Sequence, residues 1–136
     1  MVMRRYVPLA CALLFAALAA EAHHSIAGAY DSRRTVRVEG LVVRFAFINP
    51  HAFLTLEVSE PGHPPQAWHL EMDDRGELSE IGMTEGTLRP GDRLIVSGSA
   101  SRRESNRMYI QRLQRPADGY GYEQVNSRPR LRSADR

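Results

Sequence analysis

"HAFLTLEVSEPGHPPQAWHLEM", residues 51–72, holds two runs of alternating apolar and polar residues on either side of a short loop. The first run covers residues 51–59 and the second covers residues 66–72. Strict alternation is typical of β-strands that place one face against a core. The intervening Pro and Gly residues favour a tight connection, so the stretch predicts a β-hairpin. Its polar face would carry His51, Thr55, His69, Glu71 and Asp73.

The regions on both sides of this hairpin predict further β-structure. "TVRVEGLVVRFAFI", which begins at Thr35, has apolar residues on both faces and suits a long curved strand. Residues 75–88 have the spacing of a short helix, and residues 93–101 and 107–114 predict two more strands. Five strands with a helix between the third and fourth is the order of an OB-fold. We therefore predict an all-β domain over residues 35–115, a small five-stranded OB-like Greek-key β-barrel with one short helix.

The first 22 residues have the features of an export signal. Two arginines precede an apolar stretch, which ends in Ala-Glu-Ala at residues 20–22, the small-x-small pattern before a cleavage site. A transmembrane helix is the weaker interpretation, because the run is shorter than the ~20 residues of a bilayer span and contains Pro8. We expect residues 1–22 to be a cleaved signal peptide, the mature chain to begin at His23, and the protein to be periplasmic or secreted.

The composition limits the chemistry that the mature chain offers. All cationic side chains are arginines, and the net charge of +2 over 136 residues argues against a nucleic-acid binder. Cys11, the only cysteine, lies in the expected signal peptide, so a metal site would use nitrogen and oxygen ligands. We expect residues 23–34 to form an N-terminal arm. Residues 116–136 are polar and arginine-rich with little periodicity, which predicts a disordered tail.

Cleavage before His23 would turn that histidine into a chelator. The new α-amino group has an ordinary pKa of about 7.7–8.0, so it can bind a metal together with Nδ1 of the same imidazole. A third nitrogen, from His24 or His51, would complete a histidine brace. Imidazole-rich sets suit Cu(II), with Zn(II) as the alternative. Glu71 or Asp73 could orient an imidazole or add an oxygen ligand.

Other interpretations of these residues remain open at the level of sequence. The amine, the deprotonated His24 amide and the His24 imidazole could bind a metal without a brace. His23 and His24 could also be a mobile arm without a metal, with His51 bonded to its own turn. His63 and His69 are predicted to be exposed. The carboxylates of residues 73–74 are predicted to lie in a solvated turn.

Five motifs together resemble a family of exported bacterial proteins known as a domain of unknown function. They are "AHHS", "YD", "NPH", "W-x-x-E" and "L-x-P-G-D", and the resemblance extends from residue 22 to about residue 119. Ala29 and Tyr30 depart from the family, where an acidic residue and Phe are more usual. The resemblance implies which residues belong to the site, but it implies no activity. The motif positions are His23, His24, Ser25, Asp31, Asn49, Pro50, His51, Trp68 and Glu71.

Three functions follow from these residues, in order of preference. The first is a periplasmic Cu(II)-binding protein for storage, delivery or sensing, with a periplasmic protein as a further partner. The second is a non-metal OB module for a peptide, an oligosaccharide or a protein, with structural histidines and an aromatic platform. The third is a copper-dependent redox enzyme, although no catalytic residue is assigned. We expect no nucleic acid and no stable membrane insertion after cleavage. The platform would use Phe45, Phe47, Phe53 and Tyr109.

Overall fold

The computed structural model describes residues 26–132, which form a nearly all-β domain. A helical turn at residues 26–29 precedes the first strand. The elements are β1 (Tyr30–Ala46), β2 (His51–Val58), β3 (Gln66–Asp74), α1 (Arg75–Glu80), β4 (Arg93–Ser101), β5 (Arg107–Arg115), β6 (Tyr120–Val125) and β7 (Arg128–Arg132). Within the described residues no helix is long and apolar enough to span a bilayer.

The strands form one seven-stranded sheet in the order β3-β2-β1-β4-β5-β6-β7. Neighbours in this order pair antiparallel, and β3 also pairs in parallel with β5. Strands β1, β2, β3, β5 and β4 are thereby hydrogen-bonded in a ring. The prediction of an all-β domain is confirmed at this level, with few short helices, but the strand count of five is wrong.

The predicted hairpin is present as β2 and β3, paired in the register Leu54 with Leu70. The apolar residues of the alternating pattern face the interior, and Leu54, Leu56 and Leu70 are fully buried. The core lies between this hairpin, β1, β4 and β5. It contains Val38, Val42, Ala52, Leu54, Leu56, Val58, Leu70, Met72, Leu78, Met83, Leu88, Leu94, Val96, Met108, Ile110, Leu113 and Tyr122.

Helix α1 redirects the chain after β3. The Asp74 side chain caps the helix by accepting a hydrogen bond from the Gly76 N–H at 2.7 Å, which satisfies a free helix donor. The helix ends before Gly82, whose φ of 93° is costly for other residues. Leu78 packs into the core. This turn fixes the end of β3, where the acidic residues of the candidate site lie.

The long first strand begins earlier than predicted. The sequence predicts an arm over residues 23–34, but β1 begins at Tyr30, which pairs with Ser101. The register shifts between Asp31 and Thr35, and the bulge leaves the polar residues 32–35 exposed. These residues resemble a solvated arm in sequence because residues 32–34 lie in the bulge without partners in β4 and bury no apolar side chains. The prediction of an N-terminal arm is therefore corrected for residues 30–34, which belong to β1.

The predicted disordered tail contains two strands. Residues 116–136 were expected to lack structure, yet β6 pairs with β5 and β7 pairs with β6. Tyr122 is fully buried, between Leu113 and Leu131 in the register. The Tyr-Gly-Tyr alternation is short and buries only one large side chain. Because arginines surround it, the sequence predicts disorder in this segment. The prediction is corrected for residues 120–132.

Candidate functional site

His51 and Glu71 form the centre of a polar cluster at one end of the hairpin. His51 is the first residue of β2 and follows the cis Asn49–Pro50 peptide bond. A register shift between His51 and Phe53 brings the Glu71 carboxylate beside the imidazole, with 2.8 Å between Oε1 and Nδ1. A neutral imidazole that donates from Nδ1 to a carboxylate keeps its lone pair on Nε2. Nε2 is then the atom that can bind a ligand.

Two further side chains hold the other oxygen of Glu71. The Tyr30 hydroxyl donates to Oε2 at 2.5 Å, and the Arg107 guanidinium lies 3.4 Å from the same oxygen. Arg107 Nε also donates to the Tyr30 oxygen at 2.9 Å. Burial, followed by the hydrogen bond to Glu71, holds the pKa of Tyr30 above its usual range. The phenol therefore stays protonated and keeps donating, and the carboxylate keeps one orientation.

Asp73 is the centre of a second cluster, and this placement corrects the predicted solvated turn. Its carboxylate is 5 % exposed. It accepts hydrogen bonds from the hydroxyls of Tyr109, at 2.5 Å, and Tyr122, and from the Gln124 amide at 2.6 Å. Burial and then the interaction with Asp73 raise the pKa of both tyrosines above the usual range. Asp73 therefore acts as a buried acceptor, whereas Asp74 caps α1.

A cavity of about 640 Å³ opens beside both clusters. His51, Tyr30 and Asp73 all line it. Ile26, the first residue that the structure describes, also lines the cavity. Ile26 and His51 therefore belong to the wall of the same cavity. Further polar lining comes from Ser99, Arg102, Gln111 and Gln124.

Comparison with known proteins identifies the family. The sequence pattern of a family of unknown function, DUF6152, matches residues 11–110. The chain belongs to this family. The match includes the His51–Glu71 pair and ends within β5, so β6 and β7 lie outside it. No curated protein matches the chain.

Two solved structures are distantly similar to part of this DUF6152 chain. One is the complex of TiaS with an isoleucine tRNA and ATP, with 19 % identity, 79 % of this chain and 24 % of that chain covered, and a TM-score of 0.46. The other is apo TiaS, a tRNA agmatidine synthetase, with 17 % identity, 78 % and 25 % covered, and a TM-score of 0.44. This chain thus spans about a quarter of each, and a similarity at this level carries no functional argument.

The structure brings together only some of the predicted site residues of this DUF6152 protein. His51 and Glu71 are in contact, while Asp73 binds other partners. His23 and His24 lie outside the described residues. Over residues 26–132, no group of three or more His, Cys, Asp or Glu side chains is placed to hold a metal ion.

Three further motif residues, Asn49, Pro50 and Trp68, lie around the hairpin. Asn49 and Pro50 form the turn that leads into β2, and Pro50 accepts a backbone hydrogen bond from Arg75 at 3.1 Å. Trp68 lies on β3, half-buried against the core. These residues set where His51 lies relative to β3.

Several residues of the two clusters were absent from the sequence-based site. Arg107 and Tyr109 reach Glu71 and Asp73 because β5 pairs in parallel with β3, with Glu71 opposite Tyr109. No local pattern reveals such a pairing between distant segments. Tyr30 could have been found from its place in the "YD" motif, whereas the partners from β6 lie in the segment predicted to be disordered.

Proposed function

We propose that this DUF6152 protein is an exported copper-binding protein whose site combines the processed N-terminus with His51. The observation that carries the proposal is the 2.8 Å contact between His51 Nδ1 and Glu71. A carboxylate that accepts from one nitrogen of a metal-binding imidazole sets the ring tautomer and strengthens the other nitrogen as a ligand. Such an orientation is expected when Nε2 binds a metal.

The position of Ile26 supports the contribution of His23. Three peptide units separate the α-carbons of His23 and Ile26, and a chain of that length spans at most about 11 Å. Ile26 and His51 line the same cavity. A chain that turns into the cavity from Ile26 would bring the α-amino group and imidazole of His23 toward His51 Nε2. Three nitrogens in this arrangement favour Cu(II) over Zn(II).

The proposed biological role is copper storage, delivery or sensing outside the cytoplasm. The ring of strands β1, β2, β3, β5 and β4, with α1 between β3 and β4, supports an OB-like barrel that is extended by β6 and β7. The barrel would supply a rigid frame for His51 and Glu71. Export and cleavage before His23 are parts of the same proposal, because the free amine is one of the three ligands.

Copper titration of variants in the chain that begins at His23 tests the site. We expect Glu71→Gln to weaken Cu(II) binding about 10–100-fold, the range for loss of a partner that orients a ligand. His51→Ala should weaken it at least as much because a nitrogen ligand is lost. His63→Ala, in the exposed loop between β2 and β3, is the matched control and should bind as the unmodified chain does. Equal affinity in all four proteins contradicts a site at His51.

The cavity also favours a second candidate, a module that binds a small polar molecule without metal. Its volume of about 640 Å³ lies within the usual range for ligand pockets. In that case the ligand would bind the metal-free protein, and His51→Ala would weaken this binding without any copper present, because His51 lines the cavity. Screening the metal-free protein for ligand-induced thermal stabilisation separates the two candidates.

A further inference from the structure

An arginine-rich surface lies on the outward face of the sheet, on β1 and β4–β7. One row of directly paired residues crosses the five strands. Directly paired residues of antiparallel strands point to the same face, and the adjacent row is buried at Val38, Val96, Leu113 and Tyr122. The first row therefore points outward. It consists of Arg37, Ser97, Arg112, Glu123 and Arg130.

Strand β7 extends this surface along its own length. Arg128 and Arg132 are each two residues from Arg130, so all three side chains leave the strand on the same face. Arg128 and Arg130 are exposed, as are Arg37 and Arg112. We call the resulting set of five side chains the arginine face. It comprises Arg37, Arg112, Arg128, Arg130 and Arg132.

Glu123 offsets only part of this charge. Its carboxylate is 3.2 Å from Arg112, 3.7 Å from Arg132 and in direct contact with Arg130. The hydrogen bond from Arg130, followed by that from Arg112, holds the pKa of Glu123 below its usual range. Three guanidinium groups thus share one carboxylate whose side chain is 8 % exposed.

Other acidic residues nearby do not neutralise the remaining arginines. Glu39, on the same face of β1, pairs with Arg93 at 2.6 Å. Asp118, from the start of the tail, pairs with Arg115 at 2.8 Å. Within residues 26–132, neither Arg37 nor Arg128 has an ion pair. The arginine face therefore has a local excess of positive charge.

We propose that the arginine face docks the protein peripherally on an anionic phospholipid bilayer. Guanidinium groups bind phosphate oxygens in a fork, and basic residues next to an anionic bilayer attract it at short range. The arginines spread in two directions, across the strands and along β7, which suits a phosphate surface better than a single linear polyanion. Exposed Val125 and Leu41 share this face and supply the apolar contact found at membrane interfaces.

Vesicle cosedimentation of the full chain tests this proposal. The probes are vesicles with phosphatidylglycerol and matched vesicles of phosphatidylcholine alone. The apolar stretch of residues 1–22 would associate with both, so the arginine face is measured by the difference between them. Each arginine near an anionic surface raises partitioning about fivefold. We expect Arg37→Gln with Arg128→Gln to reduce the preference for phosphatidylglycerol about 25-fold, and added salt to reduce it in the unmodified chain.

The control has the same change in charge at exposed positions in two loops outside this face, Arg89→Gln with Arg103→Gln. It should keep the full preference for phosphatidylglycerol vesicles. Three results overturn the proposal: equal binding to both vesicle types, an equal loss in the control, or displacement from the vesicles by linear polyphosphate at a matched phosphate concentration. The last result would identify a linear polyanion as the partner. Metal binding involves none of these arginines, so the outcome is independent of the copper site.

Discussion

Replacing Asp73 with alanine is expected to lower the free energy of unfolding by about 4 kcal/mol. The substitution removes the buried acceptor shared by Tyr109, Tyr122 and Gln124. A buried donor left without its partner costs about 1–3 kcal/mol, and hydrogen bonds to a charged group are at the strong end of the range. Since Tyr109 and Gln124 also bond each other at 3.0 Å, part of this loss is recovered. Denaturant titration followed by circular dichroism measures the change.

The matched control for Asp73→Ala is Glu60→Ala, which removes a carboxylate from the exposed loop between β2 and β3. An exposed substitution of this kind changes stability by about 0.5 kcal/mol or less. A similar small change for Asp73→Ala would contradict the docking of β6 onto the sheet through Asp73. It would also favour the disordered tail that the sequence predicts.

Adding three glycines before His23 of the processed chain is expected to weaken Cu(II) binding about 100- to 10,000-fold. The extension converts the α-amine of His23 into an amide nitrogen and so removes one of two donors that a single residue supplies. Three glycines are used because a single one would make His24 the third residue, where the amine, two amide nitrogens and the imidazole form a new Cu(II) site. Donors linked in one residue gain affinity of that order over independent ones. Isothermal titration with copper, in competition with a chelator of known affinity, gives the ratio. Three glycines added after Arg136 are the control and should leave the affinity unchanged.

The two copper predictions separate the parts of the site. An effect of the added glycines without an effect of His51→Ala would point to the binding mode that uses only residues 23 and 24. An effect of His51→Ala alone would point to a site within the described structure, with no part played by the free amine. If His23 and His51 bind one copper ion together, both variants should bind Cu(II) more weakly than the unmodified chain.

The local sequence pattern was sufficient to predict the hairpin and most of the strand positions. In β2 and β3 the apolar residues alternate because one face packs against the core, although Asp73 at the end of β3 is buried on the other face. The contact of His51 with Glu71 also belongs to this hairpin, so it follows from a local register. The sequence had placed both residues on one polar face for this reason.

Contacts between distant segments could not be predicted from the sequence. The parallel pairing of β3 with β5 places Arg107 and Tyr109 against the site, and nothing in either segment specifies the other. Strand β6 was missed because its stability depends on one buried tyrosine and on Asp73 in another strand. Asp73 itself was misplaced because an Asp-Asp pair beside a helix start has the composition of a solvated turn.

The central claim is that a processed N-terminus and His51 hold one copper ion together. Native mass spectrometry of the exported protein, with and without Cu(II), tests it most directly, because one spectrum gives both the first residue and the metal stoichiometry. We predict a chain that begins at His23 and gains the mass of one copper ion, and a His51→Ala variant with the same start that does not retain the ion. A chain that begins elsewhere, or equal copper retention by the variant, would contradict the account.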